Sequence, residues 1–157
     1  MSVDLAQIPI QHARSTCVHD LMAKQVMTAP VVAVQSHDTF WHAWELLSRT
    51  GLRHLVVMED RRCVGVLDER YVLRECCTTH VVPERRQIRE TMTGTVHAVL
   101  DDAPVSEVAR TMLRYGLDVV AVLTEHGAVS GVITAGNLVS LLAGRVGPEA
   151  EGLPHAG

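Results

Sequence analysis

Gly51-Leu52-Arg53-His54-Leu55-Val56-Val57 returns 65 positions later as Gly116-Leu117-Asp118-Val119-Val120-Ala121-Val122. In both copies a glycine able to close a helix leads directly into an apolar run with strand character. Upstream, Met27-Thr28 recurs as Met92-Thr93 at the same offset. Downstream of the polar turns Glu59 to Arg62 and Thr124 to Ala128 the offset grows to 66, so that Gly65-Val66-Leu67 meets Gly131-Val132-Ile133 and Leu73 meets Val139. One extra residue at a surface turn is what a duplicated fold accommodates most readily. The chain states one structural unit twice, over about 26–73 and 91–139.

Within the first unit, Val31 to Val34 is a short apolar run after Pro30 and reads as a strand. Ser36 to Asp38 offer caps for a helix with Phe40, Ala43, Trp44 and Leu47 on one face, ended by Gly51. Leu55 to Met58 and Cys63 to Leu67 read as strands joined by a charged turn, and Asp68 can cap a helix running to about Cys77. The second unit repeats this order, with strands at Val96 to Leu100, Val119 to Leu123 and Val129 to Ile133, and helices at Pro104 to Arg114 and from Ala135. A unit of about 48 residues with one bare sheet face cannot bury its own apolar surface, whereas two units packed sheet to sheet can. The expected fold is α/β of the α+β kind: two β-α-β-β-α repeats in pseudo-twofold symmetry, with a cleft between them.

The expected organisation is an N-terminal arm over 1–15 and a first repeat over 16–77, opening on a short helix from Thr16 to Lys24. A linker over 78–87, marked by Pro83 and clustered charge, leads to the second repeat over 88–143 and a disordered tail over 144–157. With 47% hydrophobic residues but only 3% aromatic, the core has to be built from Val, Leu, Ala, Ile and Met. That composition suits strands covered by helices. No apolar run approaches the roughly 18 residues needed to span a bilayer, and the N-terminus lacks a secretory pattern, so a cytoplasmic protein without membrane contact is expected.

A formal charge of −4 with no basic tail argues against nucleic-acid binding, which needs a cationic surface. Cys17, Cys63, Cys76 and Cys77 include no CxxC pair, and the nine histidines include no HExxH spacing. Reduced thiols and no metal site are expected. Neither a phosphate-cradling glycine loop nor a nucleophile with a base at recognisable spacing is present, so the chain does not read as an enzyme.

The motifs quoted above, in the same order twice, resemble the cystathionine-β-synthase (CBS) domain pair, or Bateman module, over about residues 16 to 143. The resemblance implies a stand-alone regulatory module that binds an adenosine derivative (AMP, ADP, ATP or S-adenosylmethionine) between the repeats, signals to an unknown protein partner, requires no cofactor and pairs into a homodimer. It also implies site residues. A hydroxyl residue after the third strand and a polar residue three positions on would hold the ribose, here Thr134 and Asn137. Basic residues from the other repeat, Arg53 and His54, would face phosphate, and adenine would lie against the segment from Thr93 to Val96. Asn137 stands where the family usually has Asp, which removes charge-assisted bonding.

By the same implication the opposite site would present Asp68 and Tyr71 to Asp118 and Val119. Two acids without a base would reject phosphate. Thr134 and Asp68 are also good N-caps and need no ligand to explain them. Trp41 and Trp44, one helical turn apart, stand where the second copy has Ser106 and Ala109. Trp41 is either core-edge packing or a contact to a partner subunit. The competing reading is a CBS-pair dimerisation or interaction module that has lost its ligand.

Overall fold

The computed structural model describes residues 20–78, 82–92 and 96–145. The expected arm, Thr16 to His19 of the expected first helix, and the tail beyond Arg145 lie outside the described residues. The elements are α1 (Ala23–Val26), β1 (Ala33–Gln35), α2 (Phe40–Thr50), β2 (His54–Glu59), β3 (Arg62–Asp68), α3 (Glu69–Thr78), a 3-10 turn at Ile88–Glu90, β4 (Ala98–Leu100), α4 (Val105–Tyr115), β5 (Val119–Leu123), β6 (Val129–Thr134) and α5 (Ala135–Leu142). Two three-stranded sheets result, β1-β2-β3 and β4-β5-β6. The first pair in each is parallel, joined through a helix, and the second pair is antiparallel, joined by a tight turn. The doubled β-α-β-β-α order is as the repeat implies.

Local chemistry sets the helix ends. Thr39 caps α2, its Oγ1 accepting from the His42 N–H at 3.2 Å. The expected cap lay at Ser36 to Asp38, but those side chains are engaged elsewhere. Asp38 accepts from the Gln35 N–H at 2.7 Å and Ser36 donates to Glu59 at 3.2 Å. Gly51 (φ +69°) and Gly116 (φ +62°) end α2 and α4 in the left-handed conformation that spares glycine a Cβ clash.

The central strands alternate between two buried environments. Leu55 and Val57 join Val34, Phe40, Ala43, Leu47, Leu67 and Val72 in one core, while Val120 and Val122 join Val99, Val108, Met112 and Ile133 in the other. Val56 and Ala121 face away from these cores and are equally buried, each beside its ladder partner, Val66 and Val132. This is the face on which the two sheets meet, β3 lying against β5.

The segments leading into the two repeats are exchanged. Ala23, ahead of copy one, is buried in the core of copy two, and Ile88, ahead of copy two, is buried in the core of copy one. Thr28 and Val132 exchange backbone hydrogen bonds at 2.8 and 3.1 Å, which adds Thr28 to the edge of the second sheet. Reciprocally, Ile88 N donates to Asp38 O at 2.9 Å and Arg89 N to Ser36 O at 2.8 Å. β1 begins at Ala33 and not at Val31, although Val32 is already docked on the first sheet, its carbonyl oxygen accepting from the Val56 N–H at 3.0 Å. The crossing gives the repeated motifs a physical role. Met27 packs over Gly131, and Met92 over Gly65, so each methionine covers the glycine of the other copy's third strand. Of the residues expected as linker, 79–81 lie outside the described residues and Arg86 is docked, its carbonyl oxygen accepting from Phe40 N at 3.0 Å and its guanidinium paired with Glu75.

Candidate functional site

Two cavities lie along the boundary between the copies. The larger, about 920 Å³, is a cleft lined from copy one by Gly65 to Asp68, Arg70, Tyr71 and Arg74, and from copy two by Thr91, Met92, Val96, His97 and Gly116 to Val119. The smaller, about 290 Å³, is lined by Arg53, His54, Asp68, Arg70, Asp118, Thr134, Ala135 and Gly136. Six of its eight lining residues form repeat-equivalent pairs, Arg53 with Asp118, Asp68 with Thr134 and Arg70 with Gly136. It therefore sits on the pseudo-twofold axis, between the N-terminal turns of α3 and α5. Both turns are anchored alike: Glu69 N donates to Arg53 O at 2.9 Å, and Ala135 N to Asp118 O at 2.8 Å.

Arg53, His54 and Thr134, expected together, do converge on this axial cavity. Asn137 does not join them. It is buried, and its Oδ1 accepts from Thr134 N at 2.8 Å and from Thr134 Oγ1 at 2.9 Å, while its Nδ2 donates to Thr28 Oγ1 at 3.3 Å. With Asn137 N donating to Thr134 Oγ1 at 3.2 Å, the pair forms a reciprocal cap on α5. Its Oδ1 accepts two bonds and its Nδ2 donates one, all within the fold.

Val96 is corrected. It lines the large cleft with Asp68 and Tyr71, on the other side of the boundary from Asn137, because the leading segments cross over. The segment that borders Thr134 and Asn137 is the one carrying Thr28. Thr93 lies outside the described residues.

The picture of an opposite site with two acids and no base is also corrected. α3 brings Arg70 and Arg74, one turn apart, to the same cleft as Asp68 and Asp118, and His97 lines it from copy two. Asp68 caps α3 by accepting from Arg70 N at 2.8 Å, and its other oxygen lies 3.5 Å from His54 Nε2. The Arg74 guanidinium lies 4.8 Å from the Tyr71 ring centre. His97 stacks on Tyr115 with ring centres 3.9 Å apart. The cleft thus offers aromatic surface, acceptors and cations in one concave space, the mixture that binds polar organic ligands.

Away from the cleft, burial pushes the Cys63 and Cys76 thiols up from their ordinary range, which holds them protonated and unreactive near neutrality. Among the described residues, no group of three or more His, Cys, Asp and Glu is placed to hold a metal ion. Also among them, no helix is long and apolar enough to cross a membrane.

The model of the CBS domain family matches residues 23–77 and 86–144. Among curated proteins, the chain is similar to the L-aspartate semialdehyde sulfurtransferase of Methanocaldococcus jannaschii, at 22% identity over 125 residues, and to that of Methanosarcina acetivorans, at 26%. Each match covers 79% of this chain, which spans only 24% of those proteins. Among solved structures, a CBS domain pair in complex with 5′-methylthioadenosine and S-adenosyl-L-methionine superposes with a TM-score of 0.68 at 22% identity, covering 79% of this chain and 97% of that one. A CBS domain protein from Thermoplasma acidophilum gives a TM-score of 0.68 at 27% identity, covering 76% and 67%. The cytosolic domain of the Mg2+ channel MgtE, solved in complex with ATP, gives 0.61 at 27%, covering 73% and 46%. The two family matches fall on the two copies of the repeat, and the chain belongs to the CBS domain family.

Proposed function

We propose that this chain is a regulatory, non-catalytic module of the cytosol that takes an adenosine derivative between its two repeats and passes the resulting change of shape to a protein partner. The observation that carries the reading is the 920 Å³ cleft, built from both copies and within the roughly 300–1,000 Å³ range of small-molecule sites. The similar structures solved with methylthioadenosine and S-adenosylmethionine, or with ATP, support the ligand class. In this reading Asp68 receives ribose hydroxyls, Tyr71 and His97 flank the base, and Arg70 and Arg74 meet phosphate. Arg53, His54 and Thr134 touch the ligand only where it extends past Arg70 into the axial cavity.

A thermal-shift panel of AMP, ADP, ATP, S-adenosylmethionine and NAD at millimolar concentration tests this. A ligand at 100 times its dissociation constant stabilises by about 2.7 kcal/mol. Absence of any shift would favour the second reading, a dimerisation or interaction module without ligand. That reading has its own observation in the exposed apolar side chains of copy two, Leu113 at 84% and Leu142 at 76% exposure, together with Trp41 on copy one. Sedimentation showing a stable monomer would remove the homodimer from either reading.

A further inference from the structure

The cleft and the axial cavity share three residues, Asp68, Arg70 and Asp118. Copy one has Arg53 where copy two has Asp118, and copy two has Gly136 where copy one has Arg70. The cation missing from the start of β5 is thus replaced by one from the first turn of α3. Its guanidinium spans two acids from different copies, with Nε 3.6 Å from Asp68 Oδ1 and Nη2 3.5 Å from Asp118 Oδ2. The Arg70 and Asp118 side chains are 75% and 74% exposed, so water screens their pairing and leaves it open to competition.

We infer that Arg70 is the phosphate selector of the cleft and, in the free protein, a latch between the copies. An anionic group entering the cleft draws the guanidinium from Asp118, because a forked donor satisfies phosphate oxygens better than one distant carboxylate. Two consequences follow from the geometry. Phosphorylated adenosine derivatives are preferred over adenosine, and over S-adenosylmethionine, whose sulfonium would bring positive charge toward Arg70 and Arg74. Binding also releases a tie that joins the start of α3 to the start of β5, which couples the ligand to the boundary between repeats. This inference rests on the reading of the cleft as an adenosine site.

Isothermal titration of the whole chain with adenosine, ATP and inorganic tripolyphosphate, on wild type, Arg70→Ala and Asp118→Asn, separates the two. ATP is expected to bind wild type about tenfold more tightly than adenosine, as one charge-assisted contact allows. Arg70→Ala should remove most of that preference, Arg74 keeping the remainder, and leave adenosine within about twofold; Asp118→Asn should tighten ATP about threefold by removing the competing acid. The preference should shrink with added salt. If adenosine and ATP bind equally, or Arg70→Ala keeps the preference, or Asp118→Asn weakens ATP, the role of Arg70 is overturned while the adenosine site stands. If adenosine does not bind, and ATP and tripolyphosphate bind wild type alike and about tenfold better than Arg70→Ala, the adenosine reading falls and the anion selector stands. If none of the three binds, both fall.

Discussion

Gly131→Ala is the sharpest test of the exchanged leading segments. A Cβ built on Gly131 would stand 2.7 Å from Met27 Sδ, 2.9 Å from Met27 Cγ and 2.8 Å from the Thr28 carbonyl oxygen. The methionine can swing away, but Thr28 O is held by the Val132 N–H at 3.1 Å and Thr28 N is tied back to Val132 O at 2.8 Å. The new methyl therefore has to push a paired backbone segment off the sheet edge. Overpacking of this kind costs about 1–3 kcal/mol. Lower unfolded-state entropy offsets about 0.4–1 kcal/mol of that, since the position does not need a left-handed backbone.

The expected net loss is about 1–2 kcal/mol, or a melting temperature lower by roughly 2–4 °C for each kcal/mol. Gly65→Ala is the internal control, because the added methyl would meet only the mobile end of the Met92 side chain. It should change stability by less than about 0.5 kcal/mol. Urea denaturation of both variants, and of each combined with Met27→Ala or Met92→Ala, gives the comparison. Met27→Ala should relieve Gly131→Ala only in part, since the backbone clash remains. Equal effects of the two glycine variants, or full rescue by Met27→Ala, would refute the argument that Thr28 is locked into the second sheet.

Asn137→Ala removes the reciprocal cap on α5 and the bond to Thr28, and should lower stability by about 1–2 kcal/mol in denaturant titration. Because Asn137 lines neither cavity, nucleotide affinity measured by calorimetry should stay within about twofold; a larger loss would return Asn137 to the site. The thiols of Cys63 and Cys76 titrate above their ordinary range in the folded chain, chiefly through burial. Above about pH 8.5 the unfolded thiols lose protons that the folded ones keep, so stability should fall as pH rises through the alkaline range. Replacing both by serine should flatten that decline in urea midpoints measured from pH 7.5 to 10, and an unchanged slope would show that other groups cause it.

The doubled architecture was legible because offset and period are local properties of the chain. Gly51 and Gly116 punctuate it, and the alternation through Leu55 and Val57, or Val120 and Val122, assigns a buried face. Periodicity says that a face is buried and is silent on which copy covers it. That is why Val96 was expected beside Thr134 when the crossover takes it to Asp68 and Tyr71. Arg70 and Arg74 interleave with Asp68 and Tyr71 along the start of α3, where the resemblance assigns them no role, and stand where the second copy has Gly136 and Ser140, a difference of two charges visible in the sequence. Thr134 and Asn137, three apart at the start of a helix, already had the spacing of a capping pair, and the fold uses them as one.

The exchange of leading segments makes each half structurally indebted to its twin. A chain cut between the repeats would strand Ala23 without its pocket in one fragment and Ile88 without its pocket in the other. Neither fragment would then hold a complete interior, yet each would carry the plug that the other lacks. The heritable unit is accordingly the pair, and once the two copies had begun to differ, as Arg53 and Asp118 do, neither could be lost or replaced without unseating the other.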